Sequence, residues 1–220
     1  TTSPRRGLTP AQHARIRRHL AFIPLYLWLV YGWWSLAANL PFATHDHHLR
    51  DFAHFYVQGV IAAEHDSAAL YDIDAHAKTL ARVIPGGDLR SPPVYGPQVA
   101  AFFRPLAALS YLQALYVWLG LTIVGYAACM YALWRTCRGL HGEPAAALML
   151  MVGAPAFHFA VGFAQAAILG LVATTLLTIA LRQDQKFLAG LAVGLLAYKP
   201  PLGIAMAFVL VGAGEWRMVA

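Results

Sequence analysis

The chain has 220 residues, of which 59% are hydrophobic and only 12% are charged. A soluble domain of this size carries about 25% charged residues, so the composition points to an integral membrane protein. A net charge of +6 does not mark a nucleic-acid binder, because the basic residues are dispersed and form no stripe.

Five arginines (Arg5, Arg6, Arg15, Arg17, Arg18) come first, and the apolar run Leu20 to Leu40 follows them. That run is long enough to cross a membrane. It has no small-residue cleavage site, so it reads as a retained anchor and not a removed signal. Trp28, Trp33 and Trp34 suit interface positions, and the arginines hold the start of the run in the cytoplasm.

Residues 41–110 are expected to form an extracytoplasmic loop. Between Pro41 and Tyr95 lie seven of the ten acidic residues and six of the ten histidines. Asp51 to Glu64 places Phe52, Phe55, Tyr56, Gly59 and Val60 on one side, the pattern of an amphipathic helix. Ile73 to Ile84 is a second, weaker candidate. Pro97 to Leu109 is apolar but short and carries Pro105, so it is expected to lie on the outer surface.

Tyr111 to Trp134 is the second clear span, and Arg135-Thr136-Cys137-Arg138 returns it to the cytoplasm. Pro144 to Phe157 going out and Val161 to Leu181 coming back form a further pair. Phe187 to Lys199 and Leu202 to Gly212 form another. Several of these segments are shorter than a full span and need packing partners or a locally thin bilayer. Pro155 and Pro200-Pro201 are expected to mark outer turns. Cys129 and Cys137, eight positions apart on one helix, are separated by about 12 Å along its axis and cannot bridge. The expected architecture is all-α and polytopic: a basic tail (1–19), a first span (20–40), an outer loop with surface helices (41–110) and further membrane segments (111–220).

Four features of this layout are candidates for chemistry. Asp51 opens the first loop helix, where a carboxylate serves either as a helix-end charge or as a general base. His45, His47, His48 and His54, with Asp46 and Asp51, form a polar cluster. It lacks the metal signatures His-Glu-x-x-His and Cys-x-x-Cys, so no metal is expected and a solvated or phosphate-facing cluster is the reading. Lys199 ends an apolar run on the outer side, where positive charge is sparse; it either snorkels to the interface or meets a phosphate. Ser91 to Pro97 is a stiff turn that shapes a loop or walls a pocket. His158 and Gln165 flank the outer turn around Pro155 and either satisfy backbone or bind substrate. No Gly-rich phosphate cradle occurs, so no nucleotide and no cofactor is expected.

These segments, taken in order, resemble glycosyltransferase family 87, the DUF2029 group of GT-C membrane enzymes that use polyprenyl-phosphate sugars. The resemblance runs through Asp51-Phe52-Ala53-His54-Phe55-Tyr56 with Gly59, then Ala68 to Asp72, then Pro92 to Pro97. It continues through Pro105-Leu106-Ala107, the stretch Ala114 to Trp118, the run Leu188 to Gly203, and Glu215-Trp216-Arg217. The family often shows a Gly-Gln-Asn-like turn where this chain has Ala164-Gln165-Ala166-Ala167. Members are usually longer, so the chain reads like an N-terminal portion.

The resemblance implies a GT-C-like fold in the bacterial cytoplasmic membrane, with an active site facing outward. It implies transfer of a sugar, with mannose a candidate, from a polyprenyl-phosphate carrier to a hydroxyl of a lipid or glycan acceptor, with inversion. Asp51 maps onto the family's base. Lys199 is the choice for holding the phosphate, while His54, Tyr56, Tyr95 and Gln165 are candidates for contacting substrate. A lipid or small-molecule transport protein remains the alternative from another class, since transporters also use broken helices and intramembrane charge. An inactive fragment is the third reading.

Overall fold

The computed structural model describes residues 9–37, 51–64, 68–84, 94–142 and 144–215, and every described regular element is helical. The chain divides into two compact units, one of residues 1–40 and 137–158, the other of residues 41–136 and 159–220.

In the first unit α1 (Pro10–Ala37) packs with α6 (Pro144–Val152). Thr9 starts α1 through a capping box: its hydroxyl accepts from the Gln12 amide, and the Gln12 side chain accepts from the Thr9 amide at 2.8 Å. Helix therefore begins within the arginine-rich tail, well ahead of the apolar run. The last residues of that run, 38–40, lie outside the described residues. α7 (Pro155–Gly162) starts in this unit and continues into the second.

The second unit is built around α2 (Asp51–Ala63). The amphipathic pattern predicted this helix, and its burial goes further than one face. Phe52, Ala53, Phe55 and Tyr56 are buried, and so are Val57, Gln58 and Ile61. The reason is that α2 is enclosed by α3 (Ile73–Val83), α4 (Pro97–Phe103) and α5 (Tyr111–Thr136). Phe52 stacks on Trp118 of α5 at 6.5 Å, Phe55 stacks on Phe103 of α4 at 5.1 Å, and Phe103 meets Trp118 edge-on at 4.7 Å. Gly59 is what lets α4 approach. A Cβ there would stand 2.6 Å from the Phe103 carbonyl oxygen, a backbone atom with no room to move aside.

α3 begins at Asp72, whose carboxylate accepts from the amides of Asp74 (2.8 Å) and Ala75 (3.0 Å). Those two bonds hold the Asp72 carboxyl below the usual carboxylate range. After α4, a short 3₁₀ turn covers Arg104–Ala108 around Pro105, so the Pro97–Leu109 segment is two pieces and not one surface helix.

Among the described residues one helix, α5, is long and apolar enough to cross a membrane. α8 (Ala167–Arg182), α9 (Lys186–Leu195) and α10 (Pro200–Gly212) are shorter apolar helices. The expected single segment Val161 to Leu181 is broken at Phe163–Ala166. There the Gln165 amide donates to Ala160 O (2.9 Å) and the Ala164 amide to Val161 O (3.2 Å), a Schellman ending. Ala164 occupies the left-handed position with φ 49°, where glycine is usual. Asp184 (φ 55°) and Gly214 (φ 70°) end α8 and α10 in the same way.

Pro155 opens α7, so the break falls at Gly153-Ala154 just before it. Pro200 and Pro201 likewise form the first turn of α10, where a missing amide proton costs nothing. At the far end, small residues (Ala180, Ala189, Ala192) bring α8 and α9 together beneath Leu210. Lys186 pairs with Glu215 at 2.8 Å and ties the start of α9 to the end of α10.

Candidate active site

Asp51, His54 and Tyr95, the candidate groups of the second unit, lie around the first turn of α2. Asp51 is the first helical residue, half-buried, and its carboxylate has no hydrogen-bond partner among the described residues. Asp51 interacts through charge with two side chains, His54 and Tyr95.

His54 follows Asp51 by three residues and shares its face. Burial holds its imidazole below the ordinary histidine value, and the Asp51 charge partly offsets that. Tyr95 precedes α4, and its ring meets Phe55 of α2 edge-on at 5.0 Å. Burial, with the neighbouring Asp51 charge, pushes its hydroxyl above the ordinary tyrosine range. Tyr95 therefore stays a neutral hydroxyl that donates and accepts.

The α9–α10 junction reaches the same place. Gln98 of α4 donates to the Ala197 carbonyl at 3.2 Å, within the 3₁₀ turn Leu196–Tyr198. Tyr198 interacts electrostatically with Tyr95 and packs its hydroxyl at Gly170 of α8, where a Cβ would stand 3.1 Å away. Lys199 comes next. It is exposed, and no carboxylate pairs with it among the described residues.

Gln165 approaches from a third direction. Its turn is anchored by Trp118, whose Nε1–H donates to Ala164 O at 3.2 Å, and Trp118 stacks on Phe52 beside Asp51. Ala164 and Tyr198 belong to the same apolar cluster as Phe52. Asp51, His54 and Tyr95 are thus brought together, with Tyr198-Lys199 and the Gln165 turn joined to them through Gln98 and Trp118.

Tyr56 is not part of this group. Its hydroxyl donates to the Leu109 carbonyl at 2.7 Å and the residue is 4% exposed. Its aromatic residue type fitted a sugar contact; its place in the packing gives it a scaffold bond instead. His158 lies in the other unit, where its ring bonds the Val152 carbonyl at 3.0 Å. His45, Asp46, His47, His48 and Ser91 to Pro93 lie outside the described residues. Among the described residues no three of His, Cys, Asp and Glu stand close enough to hold a metal ion.

Two residues of the site were missed in the sequence. His76 of α3 is buried and interacts with His54. As a lone histidine on a weakly patterned helix it carried no signal. Tyr198 read as the end of an apolar run, although its position beside Lys199 was a clue.

No curated protein and no solved structure matches the chain. The family model of glycosyltransferase family 87 matches residues 94–220, which take in Tyr95, Gln165, Tyr198 and Lys199 and leave Asp51 and His54 outside. The match spans more than half of the sequence, and the chain belongs to glycosyltransferase family 87, which makes it a membrane glycosyltransferase.

Proposed function

We propose that this protein transfers a sugar from a polyprenyl-phosphate carrier to an acceptor hydroxyl at the outer face of the bacterial cytoplasmic membrane. Residues 1–19 are the cytoplasmic tail, 20–40 the first span, 41–110 the outer region and 111–220 the further membrane segments. The observation that carries the reading is Asp51. It is a half-buried carboxylate at the start of a buried helix, with no hydrogen-bond partner among the described residues, and it interacts through charge with His54 and Tyr95.

In this reading Asp51 takes the acceptor's hydroxyl proton. The acceptor oxygen attacks the anomeric carbon, and the bond from that carbon to the phosphate oxygen breaks with inversion. The electron pair leaves with the lipid phosphate. Lys199, an exposed ammonium at the N-terminus of α10 with no carboxylate partner among the described residues, neutralises that charge. Tyr95 and Gln165 bind sugar hydroxyls. The donor is lipid-linked, and the acceptor is a lipid or glycan.

The test separates binding from chemistry. Asp51→Asn should leave donor binding intact and lower transfer by about 10²–10⁴-fold. Lys199→Gln should weaken donor binding instead. Equal loss of donor binding in Asp51→Asn, or unchanged donor affinity in Lys199→Gln, would remove the assigned role.

A further inference from the structure

The basic start of α1 takes no part in the candidate site. Arg15, Arg17 and Arg18 lie near the beginning of this helix, and all three are exposed. None has a carboxylate partner among the described residues. No acidic residue precedes Asp46 in the sequence, so no neighbour along the chain offsets their charge. The capping box at Thr9 sets the helix start ahead of them, and the His13 ring bonds the Thr9 carbonyl at 3.1 Å. The arginines are therefore carried on helix, and the same helix continues into the apolar stretch that begins at Leu20.

Their placement around and along the axis decides what they can meet. Arg17 and Arg18 stand about 200° and about 300° round from Arg15, so the three make a ring and not a stripe. A nucleic acid would need them gathered on one side. Along the axis the ring is only about 4.5 Å deep. Leu20 to Ala37, the described part of the proposed first span, carries no charged residue. It extends about 27 Å, against a hydrocarbon core of about 30 Å. Phe22, Ile23, Tyr26 and Leu27 within it are exposed, a surface that suits lipid. With that stretch in the hydrocarbon, the ring falls inside the headgroup layer, which is roughly 5–7 Å thick on each side.

We propose that Arg15, Arg17 and Arg18 form a collar that binds anionic phospholipids, holding their headgroup phosphates in the leaflet where α1 begins. A guanidinium group presents paired N–H donors that match a phosphate, and headgroups surround a membrane helix on every side, as the ring does. Orientation of a span needs only positive charge; the collar selects one class of lipid over another. It depends on the proposed first span and not on Asp51 or the sugar donor.

Lipid retention tests it. The protein in nanodiscs of equal parts phosphatidylglycerol and phosphatidylcholine is extracted into neutral detergent, and the lipids that stay bound are identified by mass. Phosphatidylglycerol should be enriched over phosphatidylcholine, and added salt should reduce the enrichment. The triple variant Arg15→Gln, Arg17→Gln, Arg18→Gln should lower it by about 5-fold for each charge removed, while the corresponding lysine variant should keep most of it. Equal retention of the two lipids by the wild type, or undiminished enrichment in the glutamine variant, overturns the proposal. So does displacement of the phosphatidylglycerol by an RNA oligomer, since the arginines would then favour a nucleic acid. The span is checked separately in a chain carrying Cys129→Ser and Cys137→Ser, with Gln12→Cys or Ala37→Cys labelled in sealed vesicles. Labelling of both positions from the same side overturns the span and the collar with it. Labelling from opposite sides, with no lipid enrichment, overturns the collar alone.

Discussion

α3 and α5 each leave one face open, and the open faces are opposite in chemistry. On α3 the outward residues include Asp74, Lys78 and Arg82, while His76, Thr79 and Leu80 turn in toward α2. On α5 the outward residues include Tyr116, Val117, Leu121, Ile123 and Val124, and the buried ones include Ala114, Leu115, Trp118 and Thr122. Burial of apolar surface drives α3 inward because its other face meets water. No such gradient acts on α5, whose inward and outward faces are almost equally apolar. Its inward face is chosen by packing, through Trp118 on Phe52 and Phe103 and through the close approach of Gly125 to Ile168. The open face of α3 suits water and that of α5 suits hydrocarbon, as the proposed membrane arrangement requires.

The contrast breaks first at Trp118, which ties α5 to α2. Trp118→Ala should cost about 3–5 kcal/mol, read as a large fall in melting temperature in detergent; a small change would show that α5 is not held by this contact. A charge on each open face comes next. Val124→Arg, at a position 67% exposed on α5, should cost about 2.5–3.5 kcal/mol of insertion, measured as the membrane-integrated fraction. Insertion at wild-type levels would place that face in water. Gly59→Ala forces α2 away from the Phe103 backbone and should cost about 1–3 kcal/mol, seen in the same melting assay.

A pH effect is smaller. Because burial lowers the pKa of His54 and His76 in the folded state, the unfolded chain binds protons first as pH falls below about 6.5. Stability is therefore complete above that pH and declines below it, down to the lowered folded values, with a slope of at most about 1.4 kcal/mol per pH unit for each group. His76→Gln should flatten the decline in melting temperature between pH 7 and pH 5; an equal slope would contradict the burial argument. Last, Ala81→Arg on the open face of α3 should change stability by no more than about 0.5 kcal/mol. A large loss there would erase the contrast with α5.

Which parts of this arrangement could be read in the sequence follows from the same physics. Asp51 to Glu64, Ile73 to Ile84 and Tyr111 to Trp134 were readable because periodicity or sheer apolar length marks a helix. The breaks at Gly153-Ala154 and at Phe163–Ala166 were harder. At the second, the chain turns on an alanine at positive φ, a position where only glycine would have announced the turn. The unusual Ala164-Gln165 pair is explained there: Trp118 holds the Ala164 carbonyl and keeps the turn without glycine.

Lys199 stood out because an amine among apolar residues is costly, and Asp51 because it is a carboxylate opening an amphipathic helix just past an apolar run. Tyr56 was singled out because its residue type suits a sugar, and only its packing shows the hydroxyl bound to Leu109. His76 stayed hidden because its burial depends on α3 packing on α2, which no local pattern encodes.

The most direct test of the central claim is sugar transfer in membranes bearing this protein, offered radiolabelled polyprenyl-phosphate sugars in one series and nucleotide sugars in another. The account predicts label transfer from a lipid-phosphate donor that disappears in Asp51→Asn. Transfer from nucleotide sugars alone, or transfer that survives in Asp51→Asn, would contradict it.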